Sequence, residues 1–240
     1  MRKGSRIICL LLALGSLSMT GCQMMSHGHN VEGTRLFKTG QLRRALDSFE
    51  MAAESDPKSA DAQYNMAATL HAMGVQRRDP ELLRRAEELY NSALDLDPNH
   101  SETYRGLAVL LSDTGQPDRA FKLIKGWALR SPRNSDARIE LARLHHEAGQ
   151  DSTAELLLHD SIKLNIKNPR AWAALGNLRE GSGDERQAVA NYRRSLELNS
   201  LQPGVVTRVA QLNRYGASNG SRDTARGTRI VDQNWVPRKY

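Results

Sequence analysis

The chain of 240 residues has only two cysteines, Cys9 and Cys22, which both lie near its amino terminus. Beyond Cys22 the sequence therefore offers no disulfide, no zinc–thiolate site and no cysteine nucleophile. Aromatic residues make up only 5% of the chain, which favours helices packed through alanine and leucine over a β-sandwich. Phosphate loops, nucleophile elbows and dinucleotide fingerprints are missing too, so the sequence predicts neither an enzyme nor a cofactor.

The charge of the chain is only mildly positive. Its formal net charge is +7, and Arg2, Lys3 and Arg6 contribute three of these charges, so residues 22–240 retain about +4. This balance is too small to predict a nucleic-acid partner, but it is compatible with a nearby anionic lipid or glycan surface.

The first 21 residues are typical of a signal peptide. Three basic residues precede an apolar run from Ile7 to Leu17, which is followed by small and polar residues. The run is too short for a membrane-spanning helix, which needs about 20 apolar residues. We therefore assign residues 1–21 to a cleaved leader.

The end of this leader resembles the bacterial lipobox, in which small residues precede an invariant cysteine. Thr20, Gly21 and Cys22 fit it, although Met19 stands where leucine is usual. The resemblance implies that Cys22 is lipidated and becomes the first mature residue, with 22–29 as a lipidated tether. Gln23 after the cysteine favours the outer membrane, on the periplasmic side of the envelope. The alternative is ordinary signal-peptidase cleavage, which leaves a free thiol.

A 34-residue period follows the leader. Two residue series show it: alanines at 45, 86, 120, 154 and 188, and glycines at 40, 74, 115, 149 and 183. Each series contains a single longer gap of 41 residues, and the two gaps overlap only after Gly74. One seven-residue insertion at this point explains both gaps, so the chain is predicted to contain about five repeats.

The repeat resembles the tetratricopeptide (TPR) unit, a 34-residue helix–turn–helix. The fifth unit matches the family pattern best, at Trp172, Leu175, Gly176, Gly183, Ala188 and Tyr192. The resemblance implies an all-α, right-handed superhelical solenoid over residues 30–215. Its units are predicted at 30–59, 60–100, 101–134, 135–168 and 169–202, with a capping helix at 203–215.

Two features depart from the family pattern. Trp127 stands where the family has alanine, so either the helices repack locally or the indole forms an exposed contact surface for a partner. The insertion after Gly74, which includes Val75 to Pro80, is either a tolerated surface loop or an arm that contacts a partner.

In the TPR family the first helix of each unit lines a concave groove. By this resemblance the candidate peptide-binding residues are Tyr64, His71, Arg105, Arg143, Arg170 and Asn177. The arginines and the amide are suited to an extended peptide or its carboxylate. The alternative is a solvated polar face on which Asp136 and Glu180 pair with the arginines. No metal site and no small-molecule substrate is predicted, and the expected partners are other envelope proteins.

Residues 216–240 change in composition. Their first part is basic and rich in glycine and serine, which predicts disorder. The second part contains Ile230, Trp235 and Val236, which form a candidate docking motif for a partner or for the chain's own repeats; the alternative is that this part is disordered as well.

Repeat lipoproteins of this design resemble those that assist pilus assembly. The resemblance implies a membrane-anchored scaffold of the bacterial envelope that binds other proteins and assists assembly of a pilus or secretion complex. The alternative is an adaptor that docks and regulates cell-wall hydrolases or proteases.

Overall fold

The computed structural model describes residues 24–220, and every regular element among them is an α-helix. The helices are α1 (24–38), α2 (Leu42–Ser55), α3 (Ala60–Arg77), α4 (Pro80–Leu96), α5 (Ser101–Asp113), α6 (Pro117–Arg130), α7 (Ser135–Glu147), α8 (Asp151–Leu164), α9 (Pro169–Gly181), α10 (Glu185–Leu198) and α11 (Pro203–Gly220). The predicted all-α class is confirmed. The chain divides into two compact units, of which the first ends at Leu141 and the second begins at Ala142.

In the first unit, sequence signals set where the helices begin and end. Pro80 and Pro117 occupy the first turn of α4 and α6, where a missing backbone N–H breaks no bond. The Ser59 hydroxyl accepts the N–H of Ala62 and caps α3. Gly115 ends the α5–α6 turn with φ of +75°, a backbone conformation that L side chains rarely adopt. Each pair of helices is thus held in a tight antiparallel hairpin.

Small residues let the helices of the first unit approach closely. Consecutive helices from α2 to α6 pack on one another, and α3 also contacts α5. The contacts are made by alanines that are fully buried: Ala45, Ala52, Ala62, Ala67, Ala86, Ala93, Ala108 and Ala120. Phe49, Tyr90 and Ile124 fill the spaces between these close contacts and are buried as well. The alternation of small and large residues in the repeat therefore describes a continuous core within this unit.

Two glycines of the first unit receive aromatic rings. A Cβ on Gly33 of α1 would lie 2.5 Å from the ring of Phe49, and one on Gly106 of α5 would lie 2.8 Å from the ring of Tyr90. A larger residue would have to displace a buried ring, which close-packed interiors resist.

The seven-residue insertion lengthens two helices and not the turn between them. Helix α3 has 18 residues and α4 has 17, whereas α5 has 13 and α6 has 14. Gly74, expected in a turn, lies inside α3 and packs on Leu83. The left-handed conformation falls instead on Arg78, with φ of 54°, and the Asp79 carboxylate then caps α4. The insertion therefore forms neither the surface loop nor the extended arm predicted above. It adds helical turns, and Arg78 and Asp79 form the turn and the cap that follow them.

Trp127 is a core residue. Its side chain is only 1% exposed and stacks on the ring of Tyr104, with centroids 4.5 Å apart and planes 6° apart. The Tyr104 hydroxyl donates to the Pro98 carbonyl at 3.2 Å and accepts from Arg130 at 3.1 Å, so the ring is held in place. Local repacking, one of the two interpretations above, is confirmed.

The second unit continues the hairpin pattern. Helix α8 packs on α9, α9 on α10, and α10 on α11. Ala188, Tyr192 and Leu212 form a buried cluster, to which α11 also contributes Val205 and Val209. The Ser195 hydroxyl, where the family has alanine, donates to the Pro169 carbonyl at 2.7 Å. Helix α11 thus covers the apolar face of the last repeat.

The helical region is longer at both ends than the sequence indicated. Residues 24–29, assigned above to a tether, form the first turns of α1. Ser26 is only 3% exposed and donates to the Ala52 carbonyl at 2.9 Å, because it takes the place that Ala60 takes one repeat later. Helix α11 continues to Gly220, beyond the predicted cap. The leader, Cys22 and the motif of Ile230, Trp235 and Val236 lie outside the described residues and stay predictions.

Candidate peptide-binding site

The six candidate groove residues are all half-buried in the structure. Tyr64 and His71 lie on α3 and Arg105 on α5, in the first unit; Arg143 lies on α7, and Arg170 and Asn177 on α9, in the second. Residues three, four and seven positions apart share one helix face, so Tyr64 and His71 lie along the same side of α3. The structure therefore presents two sets of three residues, one in each compact unit.

An aromatic cluster surrounds the first set. The ring of Tyr64 lies 6.0 Å from the ring of Tyr90 and 5.4 Å from that of His100, and the edge of His71 meets Tyr90 at 6.3 Å. Burial raises the pKa of the Tyr90 phenol well above its usual range, so this group stays neutral. Sequence reasoning missed the contribution of His100, which precedes α5 and follows no repeat position of the family.

Two histidine–aspartate pairs fix this cluster. His71 Nε2 lies 3.2 Å from Asp113 Oδ2, which links α3 to the end of α5. His100 Nδ1 accepts the N–H of Thr103 at 3.2 Å, so the proton of a neutral ring is on Nε2, 2.9 Å from Asp61 Oδ1. Both pairs join α3 to residues of the following repeat and hold the rings in fixed positions.

Arg105 is the member of this set with an available charge. It lies near Tyr90, whose phenol it influences electrostatically, and it forms no hydrogen bond or ion pair with another described residue. A guanidinium in this state can donate two parallel hydrogen bonds to a carboxylate without giving up an internal partner. The first unit thus combines fixed aromatic rings with one available cation, which suits a peptide that carries an acidic group.

In the second unit the acidic residue Glu180 does not pair with the groove arginines. It accepts the Tyr192 hydroxyl at 2.9 Å and the Arg208 Nε at 2.7 Å, which ties it to α10 and α11. Arg143 pairs with Glu147 of its own helix at 2.6 Å. The alternative in which Glu180 pairs with the groove arginines is therefore wrong, because Arg208 of the capping helix α11 pairs with Glu180 instead.

Asn177 follows a glycine that a tyrosine occupies. A Cβ on Gly176 would lie 2.7 Å from the ring of Tyr192, so this turn of α9 lies close against α10. The Asn177 amide makes no hydrogen bond with any residue in 24–220, and it is only half-buried. Its donor and acceptor are therefore available to a peptide backbone.

The histidines at the end of α7 act within the helix hairpin. His145 Nδ1 lies 2.6 Å from Gln150 Oε1, and His146 Nδ1 lies 2.6 Å from Asp151 Oδ1, both at the start of α8. His159 lies 3.4 Å from Glu155 of its own helix. Over the described range, no three histidine, cysteine or acidic side chains are grouped as a metal ion requires.

Among the helices between residues 24 and 220, none has both the length and the apolar character that crossing a bilayer needs.

Comparison with known families finds four overlapping or neighbouring matches, and all four are to models of the tetratricopeptide repeat. They cover residues 30–74, 89–122, 115–178 and 169–200. The seven-residue insertion falls in the gap between the first two matches. No curated protein was found to match the chain.

Solved structures of TPR proteins have the same fold as this chain. A thermophilic TPR protein of Thermus thermophilus superposes with a TM-score of 0.61 and 22% identity over 78% of this chain and 98% of that one. Pseudomonas aeruginosa PilF gives 0.54 and 17% over 85% and 90%. A TPR protein of Parabacteroides merdae gives 0.61 and 12% over 77% and 69%. At these identities the likeness concerns the fold.

Proposed function

Because the chain belongs to the tetratricopeptide repeat family, we propose that it is a membrane-anchored scaffold that binds other proteins of the bacterial envelope. An acylated Cys22 holds it on the periplasmic side of the outer membrane. The first helices of its repeats bind segments of its partners, and it assists assembly of a pilus or secretion complex.

The observation that carries protein binding is the site on α3 and α5. Tyr64 and His71 are held by ring contacts and by Asp113, whereas Arg105 forms no hydrogen bond or ion pair with a described residue. Preorganised aromatic side chains with an adjacent arginine are the residue types that dominate protein–protein recognition. The ligand that fits is an extended segment with an acidic side chain or a free carboxylate for Arg105.

Anchoring is supported by the sequence around Cys22, and the start of α1 indicates where an anchored chain would lie. Helix α1 is present from residue 24, and a chain spans at most about 3.6 Å per residue. An acyl group on Cys22 therefore brings the first repeat close to the bilayer surface. A stable anchor needs more than one acyl chain. Lipobox cysteines typically carry several acyl chains.

The pathway is suggested by the resemblance to repeat lipoproteins that assist pilus assembly, and the fold is similar to that of Pseudomonas aeruginosa PilF. That likeness extends over most of both chains, but fold alone does not fix function. The partner must therefore be identified directly.

The test is a crosslinked pull-down from native membranes with the full chain and with Cys22→Ala. The proposal expects acylated mass on Cys22, recovery of a pilus or secretion component with the wild type, and reduced recovery with the variant. Recovery of a cell-wall hydrolase or protease would replace assembly by the adaptor function. A soluble, unmodified wild type would remove the anchor.

The groove is tested separately with a matched pair of arginine variants. Arg105→Ala removes the available cation of α5, whereas Arg85→Ala removes an exposed arginine of α4 that likewise forms no described hydrogen bond or ion pair. Truncation of a central interface arginine costs more than about 1 kcal/mol, and a cost of about 1.4 kcal/mol corresponds to a factor of ten in Kd. Arg105→Ala should therefore weaken binding of the recovered partner about tenfold, and Arg85→Ala should leave it unchanged. Equal effects would place the interface elsewhere.

A further inference from the structure

Helix α1 has an exposed side on which apolar residues precede basic ones. At about 100° per residue, Met24, Gly28, Val31, Arg35 and Lys38 lie on one side of the helix. All five are exposed, with Met24 at 77% and Val31 at 57%. Exposed large apolar side chains in a row on one helix indicate a surface that another body covers.

Part of the same side is buried in the later first helices. One repeat further on, Gly28 and Arg35 correspond to Ala62 and Thr69 of α3, and both are fully buried. In α5 the position of Arg35 is taken by Leu110, which is 1% exposed. Helix α1 therefore presents the side that the repeat fold uses for stacking on a preceding repeat, and no described residue covers it.

The course of the chain indicates what covers this side. Only Gln23 separates Met24 from Cys22, so an acylated Cys22 would place the bilayer surface within about 7 Å of Met24. Lys38, which forms no ion pair with a described residue, lies about 21 Å further along the helix axis. Interfacial helices combine apolar side chains with lysine and arginine, and bind anionic lipid.

We propose that α1 lies along the membrane surface, with Met24 and Val31 inserted among anionic lipid headgroups and Lys38 against their phosphates. The inference deepens the proposed function and rests on the anchor at Cys22. A second copy of the chain is the weaker occupant, since a stable interface buries about 800 Å² per partner and α1 offers three exposed large apolar side chains.

A single thiol can test this placement, because the chain beyond Cys22 has no cysteine. In a Cys22→Ala background, Gly28→Cys carries an environment-sensitive fluorophore on α1; a Cβ there meets nothing within 4 Å. Met51→Cys, at an exposed position of α2, is the control. An amino-terminal hexahistidine tag, bound to a nickel-chelating lipid, replaces the acyl anchor. The vesicles are phosphatidylcholine, with or without phosphatidylglycerol.

The expected result is lipid contact at α1 alone. In vesicles with phosphatidylglycerol, iodide quenching of the residue-28 label should fall at least about threefold, and quenching by spin-labelled lipid should appear. The label at residue 51 should remain open to iodide. Val31→Glu together with Met24→Ser should restore iodide access at residue 28.

Two outcomes would overturn the placement. An iodide-accessible residue 28 on tethered protein would show that α1 stands away from the bilayer, whatever the state of Cys22. Protection in solution that rises with protein concentration, with a doubled mass in sedimentation, would assign this side of α1 to a second copy. Failure of the anchor itself would appear separately, as an unmodified Cys22 in native protein.

Discussion

The second repeat (α3 and α4) and the third (α5 and α6) depart from the family pattern in opposite places. The second has the usual alanines, Ala67 and Ala93, between its helices, but its turn depends on Arg78 with positive φ. The third has the usual turn glycine, Gly115, but Trp127 in place of the second alanine. Each departure is accommodated nearby: Asp79 caps the new helix start, and Tyr104 stacks on the indole.

The difference teaches that the repeat requires a function at each position and not a fixed residue. A turn requires one left-handed residue, which Arg78 supplies in the second repeat as Gly115 does in the third, and Asp79 adds a side-chain cap that Gln116 lacks. A close helix contact requires filled space without strain, and a stacked pair of large rings fills it as alanine does elsewhere. Predictions about these two repeats can therefore separate removal of a function from removal of a residue type.

The largest effect is expected from Trp127→Ala. It leaves a cavity beside Tyr104, and truncation of a buried tryptophan costs about 3–5 kcal/mol. Trp127→Phe keeps the stack, and Trp127 Nε1 has no hydrogen-bond partner in the described structure, so this variant should lose only about 1 kcal/mol. Hydrogen exchange of the α6 amides, followed by mass spectrometry, measures the loss of local stability in both variants. A local measurement is needed because repeat proteins can unfold in parts. Equal losses would show that an aromatic ring at position 127 is not sufficient to keep the stack.

Gly106→Ala should be the next largest. The new Cβ would lie 2.8 Å from the buried ring of Tyr90, and overpacking of this kind costs about 1–3 kcal/mol. Gly28→Ala is the control, since its Cβ meets nothing, and it should stabilise α1 by up to about 1 kcal/mol. Urea unfolding followed by far-ultraviolet circular dichroism distinguishes the two. A stabilised Gly106→Ala would show that Tyr90 can move.

The two turns should respond asymmetrically. Gly115→Ala places a Cβ at φ of +75° and should cost about 1–2 kcal/mol. Arg78→Gly removes the cost of a left-handed conformation at a non-glycine residue, but it also gives the unfolded chain more conformational freedom. Each effect changes the free energy of unfolding by about 1 kcal/mol, and the two nearly cancel. A change in unfolding midpoint for Gly115→Ala alone would support this view. Strong stabilisation by Arg78→Gly would reveal strain in the inserted turn.

The smallest effect is expected where charges join the two repeats. Arg119 of α6 contacts Glu87 of α4, and the arginine side chain is 54% exposed. An ion pair in this setting contributes about 0–1 kcal/mol and is screened by salt. Arg119→Ala should therefore change stability little at low salt and not at all in roughly 1 M sodium chloride. A loss that persists in high salt would indicate packing by the arginine stem.

The sequence was sufficient for the fold because the repeat is encoded redundantly. Ala45, Ala86 and Ala120 recur with the period of the helix hairpins, and each is buried as the pattern requires. The ends were harder to place, because Ser26 resembles a polar tether residue until its contact with Ala52 is known. The insertion was also misjudged, since Gly74 suggests a turn and only Asp79 and Pro80 mark the true helix start.

The site was predictable in outline and not in detail. Family positions located Tyr64, His71 and Arg105 on half-buried helix faces. Which of these side chains have internal partners depends on residues distant in sequence, such as Asp113 for His71 and Arg208 for Glu180. Such pairings arise from side-chain reach across packed helices, for which a single sequence gives no periodic signal.

Several aromatic rings fill the space left beside a glycine that has no side chain, here called a glycine notch. These contacts limit how the repeats can be duplicated or exchanged. In the first and fifth repeats, ring and notch belong to the same repeat, as Phe49 with Gly33 and Tyr192 with Gly176. Tyr90 of the second repeat instead enters the notch at Gly106 of the third. A duplication or recombination breakpoint between these two repeats would separate a bulky ring from the space made for it. The second and third repeats should therefore behave as one heritable module.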